Sequence, residues 1–544
     1  MTVARPSVKP AGTTAALIDC GSLESALRVF AALAVAREHG ELHADELVPA
    51  AETVLVLGGA GHDPRTLAAA LPALLDRSDT AARTQHAGPE VVIPVHYTGP
   101  DLAEVASLTG MSEDAVIARH TAASYVVAFT GFAPGFAYLS GGDPALVVPR
   151  RETPRPRIQP GAVGLAGQFS GVYPRESPGG WQIIGATSAR MWDTEREQPA
   201  VLVAGGRVRF TAVREEAKIA AVQASAPTAR RAPDENLPAA TLRVVDAGLQ
   251  TLVQDAGRLG AAAMGVGRAG TAIRRSYRLG NALVGNAPGA AALELSHGGF
   301  AADALATTVL ALTGATRAGR VTGPFGARNV PHGAPFRLSA GERLTLGAAE
   351  RGLRSILSLR GGIGGDAFLG SRARDTLAEL GPAPVAVGDE IRPAGAATYA
   401  VGAPTGQDPD LPAPGDVTTL RVILGPRDNW FDAEAVARLT GQSWMVAPQS
   451  DRVGVRLAGE PLRRDEAHAG VELPSEGVVL GALQVPPDGQ PVLFLADHPL
   501  TGGYPVIAVV HDDDIDLAAQ LTPGSAVRFT LIADAPRTRT ETRQ

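Results

Sequence analysis

The chain repeats itself, and no other feature limits its fold as tightly. Pro178-Gly179-Gly180-Trp181 precedes Val208-Arg209-Phe210-Thr211, and Thr501-Gly502-Gly503-Tyr504 precedes Val527-Arg528-Phe529-Thr530 in the same order. Each series is led by a Gly-rich apolar stretch with a glutamine, residues 161–168 in one half and 477–484 in the other. Ordered matches at comparable separations predict two copies of one barrel-like β-module, since each copy keeps the turn residues and core strands its fold needs.

A length of 544 residues exceeds what one core organises, so several domains are expected. Residues 1–88 read as strand, helix, strand, helix (13–19, 23–38, 53–57, 64–75), a small α+β domain. Residues 89–213 turn to short strands between Gly and Pro, with one helix opened by Ser112 and running towards His120. Residues 214–238, with a helical stretch at 217–226, read as a linker. Residues 239–535 are again strand-rich, with helices at 274–284 and 432–439, and 536–544 form a polar tail. The expected class is mainly β with α+β.

Several functions are disfavoured by composition. A net charge of −7 argues against a phosphate-tracking surface, so nucleic acid is not expected as a partner. The apolar run 26–36 is short and interrupted by Arg28, so no membrane span or signal peptide is expected. The lone cysteine, Cys20, has no intrachain partner and reads as packed, which fits a reducing cytoplasm. Lysine occurs only at Lys9 and Lys218, neither in a P-loop, Schiff-base or biotinylation context. No His/Cys cluster has zinc spacing, no GxSxG elbow occurs, and the glycines at 58, 59 and 61 lack a dinucleotide arrangement, so no metal site is expected.

What remains is anion chemistry on β-modules. The segment 131–139 sets Phe132 and Gly135 in a Gly- and Pro-punctuated aromatic run, either a backbone cradle for a ligand or a packed turn. Arg150, Arg151, Arg155 and Arg157 fall in a Pro-restricted extended segment, where alternation sets Arg155 and Arg157 on one face. They form an anion clamp or a salt-bridged rim. Gln168, Tyr173, Glu176 and Trp181 surround turns of the kind that gather at a barrel rim, with Glu176 a candidate general base. His120, at a helix end, is either a capping or a proton-transfer group.

In the second half, Asp255, a candidate catalytic carboxylate, and Arg258 flank a glycine turn and either pair or act on a ligand. Arg360, Arg372 and the Asp451-Arg452 pair each adjoin a flexible or turn-forming residue, a layout suited to joint backbone and guanidinium binding of an anion. Gln484 and His498, the latter a candidate catalytic group, flank the aliphatic strand 491–495, with Thr501 and Tyr504 just beyond, forming one pocket mouth or ordinary strand ends.

The segments 131–139, 154–167 and 171–185 resemble the family of allophanate hydrolase subunit 1, or 5-oxoprolinase small subunits, across roughly 13–213. Val253-Gln254-Asp255-Ala256-Gly257-Arg258, Leu283-Val284-Gly285-Asn286, Leu369-Gly370-Ser371-Arg372, Ser450-Asp451-Arg452 and Thr501-Gly502-Gly503-Tyr504-Pro505 resemble subunit 2 of the same system. The resemblance implies fused small and large subunits built on cyclophilin-like barrels. One branch of the family opens 5-oxoproline to glutamate with ATP and a separate LamB/YcsF-type subunit. Another is the carboxyltransferase region of urea carboxylase, which receives biotin carried on another protein, and a third includes inhibitors of a sporulation histidine kinase. The oxoprolinase branch is the expected one, with ATP and Mg shared with the partner, a small anionic or amide substrate, and possible homo-oligomerisation. One departure is visible: after Gly270 the family pattern continues Ala-Met-Asp, whereas this chain reads Thr271-Ala272-Ile273. The resemblance implies a carboxylate there, either catalytic or capping the next helix.

Overall fold

The computed structural model describes residues 6–58, 64–81, 90–214 and 238–532, except 325, 397, 407–410 and 414. Residues 215–237 of the expected linker with its helical stretch, the tail 536–544, Lys218, and Gly59 and Gly61 lie outside the described residues.

An N-terminal sheet orders Ser7–Pro10, Ala15–Asp19, Thr53–Leu57 and Glu46–Pro49, with helices Leu23–Glu38 and Pro64–Ala81. Ser22 opens the first helix by accepting the Ser25 amide, and Val29, Leu33 and Ala36 repeat at helical spacing to bury its inner face. Cys20 belongs to this core, and burial pushes its thiol up to about 12, so it is packed and unreactive.

The two barrels correspond strand by strand. The first uses β1 (Val91–Val95), β2 (Tyr125–Thr130), β3 (Ala137–Ser140), β4 (Arg155–Ile158), β5 (Ala162–Ala166), β6 (Phe169–Val172), β7 (Ser177–Gly179), β8 (Gln182–Ala186) and β9 (Arg207–Ala212). The second uses β10 (Val417–Leu424), β11 (Trp444–Val446), β12 (Gly454–Ala458), β13 (Glu476–Gly477), β14 (Ala482–Gln484), β15 (Val492–Phe494), β16 (Thr501–Gly502), β17 (Val506–Val510) and β18 (Ala526–Leu531). The first sheet runs β8-β5-β6-β3-β2-β9-β1 and the second β17-β14-β15-β12-β11-β18-β10. The second closes through β10 and β17, the first through a bridge between His96 and Ala186. Each has one parallel pair, β1 with β9 and β10 with β18, and a separate two-stranded ribbon, β4-β7 or β13-β16. Duplication is therefore visible in topology as well as in sequence.

The barrel interiors follow strand periodicity. Val208 and Phe210 of β9, and Val527 and Phe529 of β18, alternate inward with polar neighbours outward. Each such side chain contributes about 1.5–3 kcal/mol by leaving water. The register of the repeat differs from the sequence expectation in one respect. Gly161, at φ +82°, pairs structurally with Gly481, at φ +85°, since each donates its amide into the same hairpin and accepts from β8 or β17. The 161–168 and 477–484 stretches are thus offset by four, and Gln484 corresponds to Gly164, with no counterpart to Gln168.

Between the barrels in sequence lies a nine-stranded sheet, dominated by the long antiparallel pair Thr308–Gly323 and Arg343–Leu359. Residues 239–535 therefore hold one curled sheet and one closed barrel. Helix Arg274–Leu283 crosses the sheet and is anchored by Thr313, whose hydroxyl donates to the Ser276 carbonyl at 2.8 Å. Its N-cap residue, Ile273, is fully buried and makes no side-chain cap. The cap comes from the second barrel: Asp516 accepts the Arg275 amide, and Arg274 pairs with Asp512. Among the described residues, no helix is long and apolar enough to cross a membrane.

Candidate functional site

A cleft of about 900 Å³ opens between the two barrels, and Gly180 and Gly503 both line it. The two glycines follow the equivalent ribbon strands β7 and β16, so the duplication brings matching turns to one cleft. Arg150 and Arg151 line it from the first barrel, and Arg463 and Arg464 from the second. Each pair occupies the same connection of its barrel, β3 to β4 or β12 to β13.

The four guanidinium groups are in different states. Arg151 bonds Asp101 at 2.7 Å and Glu104 at 3.1 Å. Arg464 donates to the Val471 carbonyl at 2.7 Å and lies 5.5 Å from the centre of the Trp430 ring. Arg150 and Arg463 are exposed and make no hydrogen bond or ion pair among the described residues. Two unengaged guanidinium groups facing one cleft are suited to a carboxylate or phosphate. Tyr504, also exposed, adds an aromatic wall.

The sequence-derived site residues divide into four groups. The first is used to join the halves. The Phe132 amide donates to Thr501 Oγ1 at 3.2 Å and the Gly135 amide to the Met264 carbonyl at 2.9 Å, so these amides are engaged by the second half instead of facing a ligand. Trp181 packs edge-on against Phe136 and Tyr138 beneath them.

The second group is consumed by ion pairs of the first barrel. Arg155 makes a two-pronged bond to Asp101 at 2.6 and 2.7 Å, whereas Arg157 pairs with Glu176 at 2.6 Å on the surface. Of the two readings, anion clamp or salt-bridged rim, the structure shows the salt-bridged one, since separate carboxylates neutralise the two arginines. Gln168 is exposed and away from this cleft's lining. His120 is wholly buried, between the Tyr97 hydroxyl at 2.7 Å and the Ser170 hydroxyl at 2.9 Å, stacked on Phe210. Burial pushes its pKa down to about 3, so the imidazole is a neutral core group.

The third group converges behind the second barrel. Asp255 accepts from the Ser371 hydroxyl and the Arg372 amide, both at 2.6 Å, instead of pairing with Arg258. Arg258, 1% exposed, donates to the Ala373 carbonyl. Arg452 is also buried; it bonds both oxygens of Asp497, at 2.9 and 3.0 Å, as well as Glu294 and the Gly270 carbonyl. Asp497 in turn accepts from the Thr376 amide and hydroxyl. Thr271 and the Ala272 amide bind Glu294, which places the departing segment 271–273 on this network. The remaining residues shape backbone: Arg360 holds the Val284 and Tyr399 carbonyls, Arg372 the Gly365 carbonyl, Asp451 the Val453 and Gly454 amides, and Gln484 the Tyr504 carbonyl.

Within that network, burial and then the nearby Asp497 charge raise Asp375 to about 6. A carboxyl whose folded pKa lies above its unfolded value adds stability below the unfolded pKa and loses it as pH rises through the folded one. Asp375→Asn retains a carbonyl oxygen for the Leu377 and Ala378 amides that Asp375 accepts. Between pH 4 and pH 8 the wild type is expected to lose on the order of 1–3 kcal/mol relative to Asp375→Asn in urea titrations.

The fourth group is His498 alone. It lines a second, smaller cavity of about 350 Å³ where the N-terminal domain, the curled sheet and the second barrel meet.

Paired barrels facing across an arginine-bearing cleft, with a curled sheet between them in sequence, define a tandem-barrel protein. Comparison with known proteins narrows that class. The chain belongs to the carboxyltransferase-domain family: "Carboxyltransferase domain, subdomain C and D" matches residues 6–202, and "subdomain A and B" matches residues 264–531. It is 45% identical over 129 residues to one type of 5-oxoprolinase subunit, that of Bacillus subtilis (strain 168), covering 23% of this chain and 54% of that protein. It is 32% identical over 298 residues to a second type of 5-oxoprolinase subunit, that of Escherichia coli (strain K12), covering 53% of this chain and 90% of that protein. The match to the Bacillus subtilis protein thus spans little more than half of that relative's length. The crystal structure of TTHA0988 superposes with a TM-score of 0.78 at 32% identity, covering 95% of this chain and all of that one. The two 5-oxoprolinase relatives are components of an enzyme.

Proposed function

We propose that this chain is the fused small and large component of an ATP-dependent 5-oxoprolinase, acting with a separate LamB/YcsF-type subunit, and that the inter-barrel cleft receives the anionic groups of its substrates. The observation that carries the reading is the pair of unengaged guanidinium groups, Arg150 and Arg463, contributed to one cleft by the two barrels.

A lactam carbonyl is a poor electrophile. ATP supplies the activation by transferring its γ-phosphoryl group to the lactam oxygen with release of ADP; water then attacks the ring carbon, cleavage of the C–N bond opens the ring to γ-glutamyl phosphate, and a second water hydrolyses that acyl phosphate to glutamate and phosphate. Arg150 and Arg463 hold phosphate or carboxylate oxygens and neutralise charge as it builds up, and the turns at Gly180 and Gly503 leave backbone room for such a group. The partner subunit completes the site and shares the Mg ion.

The test is to combine the chain with a LamB/YcsF-type subunit, ATP and 5-oxoproline and to measure glutamate and ADP. Arg150→Ala with Arg463→Ala is expected to lower kcat/KM by about 10- to 100-fold with an unchanged melting temperature, since charge-assisted hydrogen bonds are worth about 1.5–3 kcal/mol. An unaltered kcat/KM in the folded double variant removes the cleft from the reaction. A second reading, carboxyl transfer from biotin carried on another protein, is favoured by the description of the matching family. Turnover that requires a biotin carrier, without ADP and glutamate formation, decides for it.

A further inference from the structure

The outer face of the second barrel differs from that of its sister in one row of side chains. Strands β12, β11, β18 and β10 run side by side, and Ala458, Met445, Ala526 and Val417 stand opposite one another across them. Their chain neighbours Leu457, Trp444, Val527 and Thr418 are buried, so strand alternation turns this row outward. Val417 is 52% exposed and Met445 46%. Exposed apolar side chains scattered singly need no explanation, whereas a continuous row does.

The duplication supplies the comparison. Val527 pairs with Trp444 and Thr418 as Val208 pairs with Tyr125 and Val91, so the equivalent row of the first barrel is Glu90, Arg207, Val126 and Ser140. The barrel thus accepts charged or polar side chains at every one of these positions but that of Val126, and its fold does not require an apolar row. A second difference follows from the first. Arg528 corresponds to Arg209, whose Nε donates to Glu90 at 3.1 Å, but the second barrel carries Val417 where that acid stands. Arg528 is exposed, and among the described residues its side chain bonds only the Ser443 hydroxyl, at 3.4 Å. Arg456, two positions from Ala458 and exposed on the same face, makes no side-chain hydrogen bond or ion pair among the described residues.

Met and Arg are enriched where proteins meet, and an apolar row bordered by cations that lack acids calls for the converse surface. We propose that this face of the second barrel docks the separate subunit, which presents an apolar ridge bordered by carboxylates: the ridge covers Val417 and Met445, and the carboxylates pair with Arg528 and Arg456. The assignment rests on the two-component reading above and names the surface through which the components join. Its position suits that role, since Ala458 ends the strand that runs on into the connection carrying Arg463. Pro461, which lines the cleft, is three positions further on, at most about 11 Å of chain. A subunit seated on the row therefore lies beside the cleft it completes. An isologous contact with a second copy of this chain would set Arg528 and Arg456 against the same cations of the other copy, which disfavours that occupant.

The experiment is calorimetric titration of the full chain with a LamB/YcsF-type subunit, together with sedimentation of the chain alone and glutamate release by the mixture with ATP and 5-oxoproline. Val417→Glu copies Glu90 and gives Arg528 the partner that Arg209 has, so it removes the apolar and the cationic element at once without disturbing the barrel. It is expected to keep the melting temperature and to weaken subunit binding by about 10-fold or more. Met445→Glu is expected to weaken binding equally, and Val126→Glu, at the equivalent place in the first barrel, to leave it unchanged. Unchanged binding in either second-barrel variant, or an equal loss in Val126→Glu, overturns the docking face; glutamate release at the wild-type rate in those variants then leaves the functional reading intact. Binding that follows the expected pattern in a mixture that forms no glutamate supports the face and refutes the function. A wild-type chain that binds no such subunit, or that forms a homodimer dissociated by Met445→Glu, overturns the assigned occupant.

Discussion

Arg452→Ala is expected to destabilise the protein by about 3–5 kcal/mol, a large part of the roughly 5–15 kcal/mol that holds a typical domain folded. Arg452 is 1% exposed and is bonded to two carboxylates, Glu294 and Asp497, that are themselves buried. Despite burial, which alone lowers its pKa, the two carboxylates raise it above the usual arginine value. Removing the guanidinium leaves Asp497 without its ion-pair partner, Glu294 with Arg354, 3.8 Å away, as its remaining cation, and the Gly270 carbonyl without its arginine donor. The effect reaches across domains, since Glu294 lies on the curled sheet and Asp497 on the second barrel. Arg452→Ala is therefore expected to show a lowered urea midpoint and early proteolysis between the sheet and the barrel. Arg452→Met combined with Glu294→Gln and Asp497→Asn, which removes the charges together, is expected to recover at least half of the loss. A midpoint for Arg452→Ala within about 0.5 kcal/mol of wild type contradicts the account.

Local periodicity made much of the fold legible. The helix Leu23–Glu38 and the strand Thr53–Leu57 lie where apolar spacing places them, and Ser112 caps its helix by accepting the Ala115 amide. The duplicated Gly-Gly turns correctly marked sister barrels, and the structure brings both turns to one cleft. The identity of the cleft's arginines was less accessible. Arg155 and Arg157 stand two apart on one strand, yet Asp101, far away in sequence, takes the first, and Glu176 the second. The Arg463-Arg464 pair was missed, although Arg150-Arg151-Glu152 and Arg463-Arg464-Asp465 form a visible echo in equivalent connections. In the second half, Asp255, Ser371, Arg372, Arg452 and His498 each read as weak isolated motifs. They converge on one buried network and the cavity beside it through chain reversals that periodicity does not encode.

A second echo, Gly99-Pro100-Asp101 against Gly425-Pro426-Arg427, carries the other large expected effect. Both glycines are pressed against the opposite strand: a Cβ on Gly99 would lie 2.3 Å from the Ile183 carbonyl oxygen, and one on Gly425 2.4 Å from that of Val506. The residue two positions on then meets the ribbon, but with its sign reversed. In the first barrel the acid is Asp101 and the base Arg155; in the second the base is Arg427 and the acid Glu476, bonded at 2.8 Å. Burial opposes the Asp101 charge, but the bonds from Arg155 and the Ile183 amide outweigh it and hold the carboxyl below its usual pKa. Asp101→Ala is expected to cost about 3–5 kcal/mol, since Arg155, Arg151 and the Ile183 amide lose their common acceptor. Asp101→Arg alone is expected to cost still more, through repulsion of Arg155. Adding Arg155→Glu reproduces the polarity of the second barrel and is expected to restore part of that loss, with a coupling of about 1–3 kcal/mol in a double-mutant cycle. Recovery stays incomplete because an arginine at position 101 cannot accept the Ile183 amide and would face Arg151. Strictly additive losses in the cycle, read from urea midpoints, show that the two pairs do not occupy equivalent positions and that the polarity of each is fixed by its own barrel.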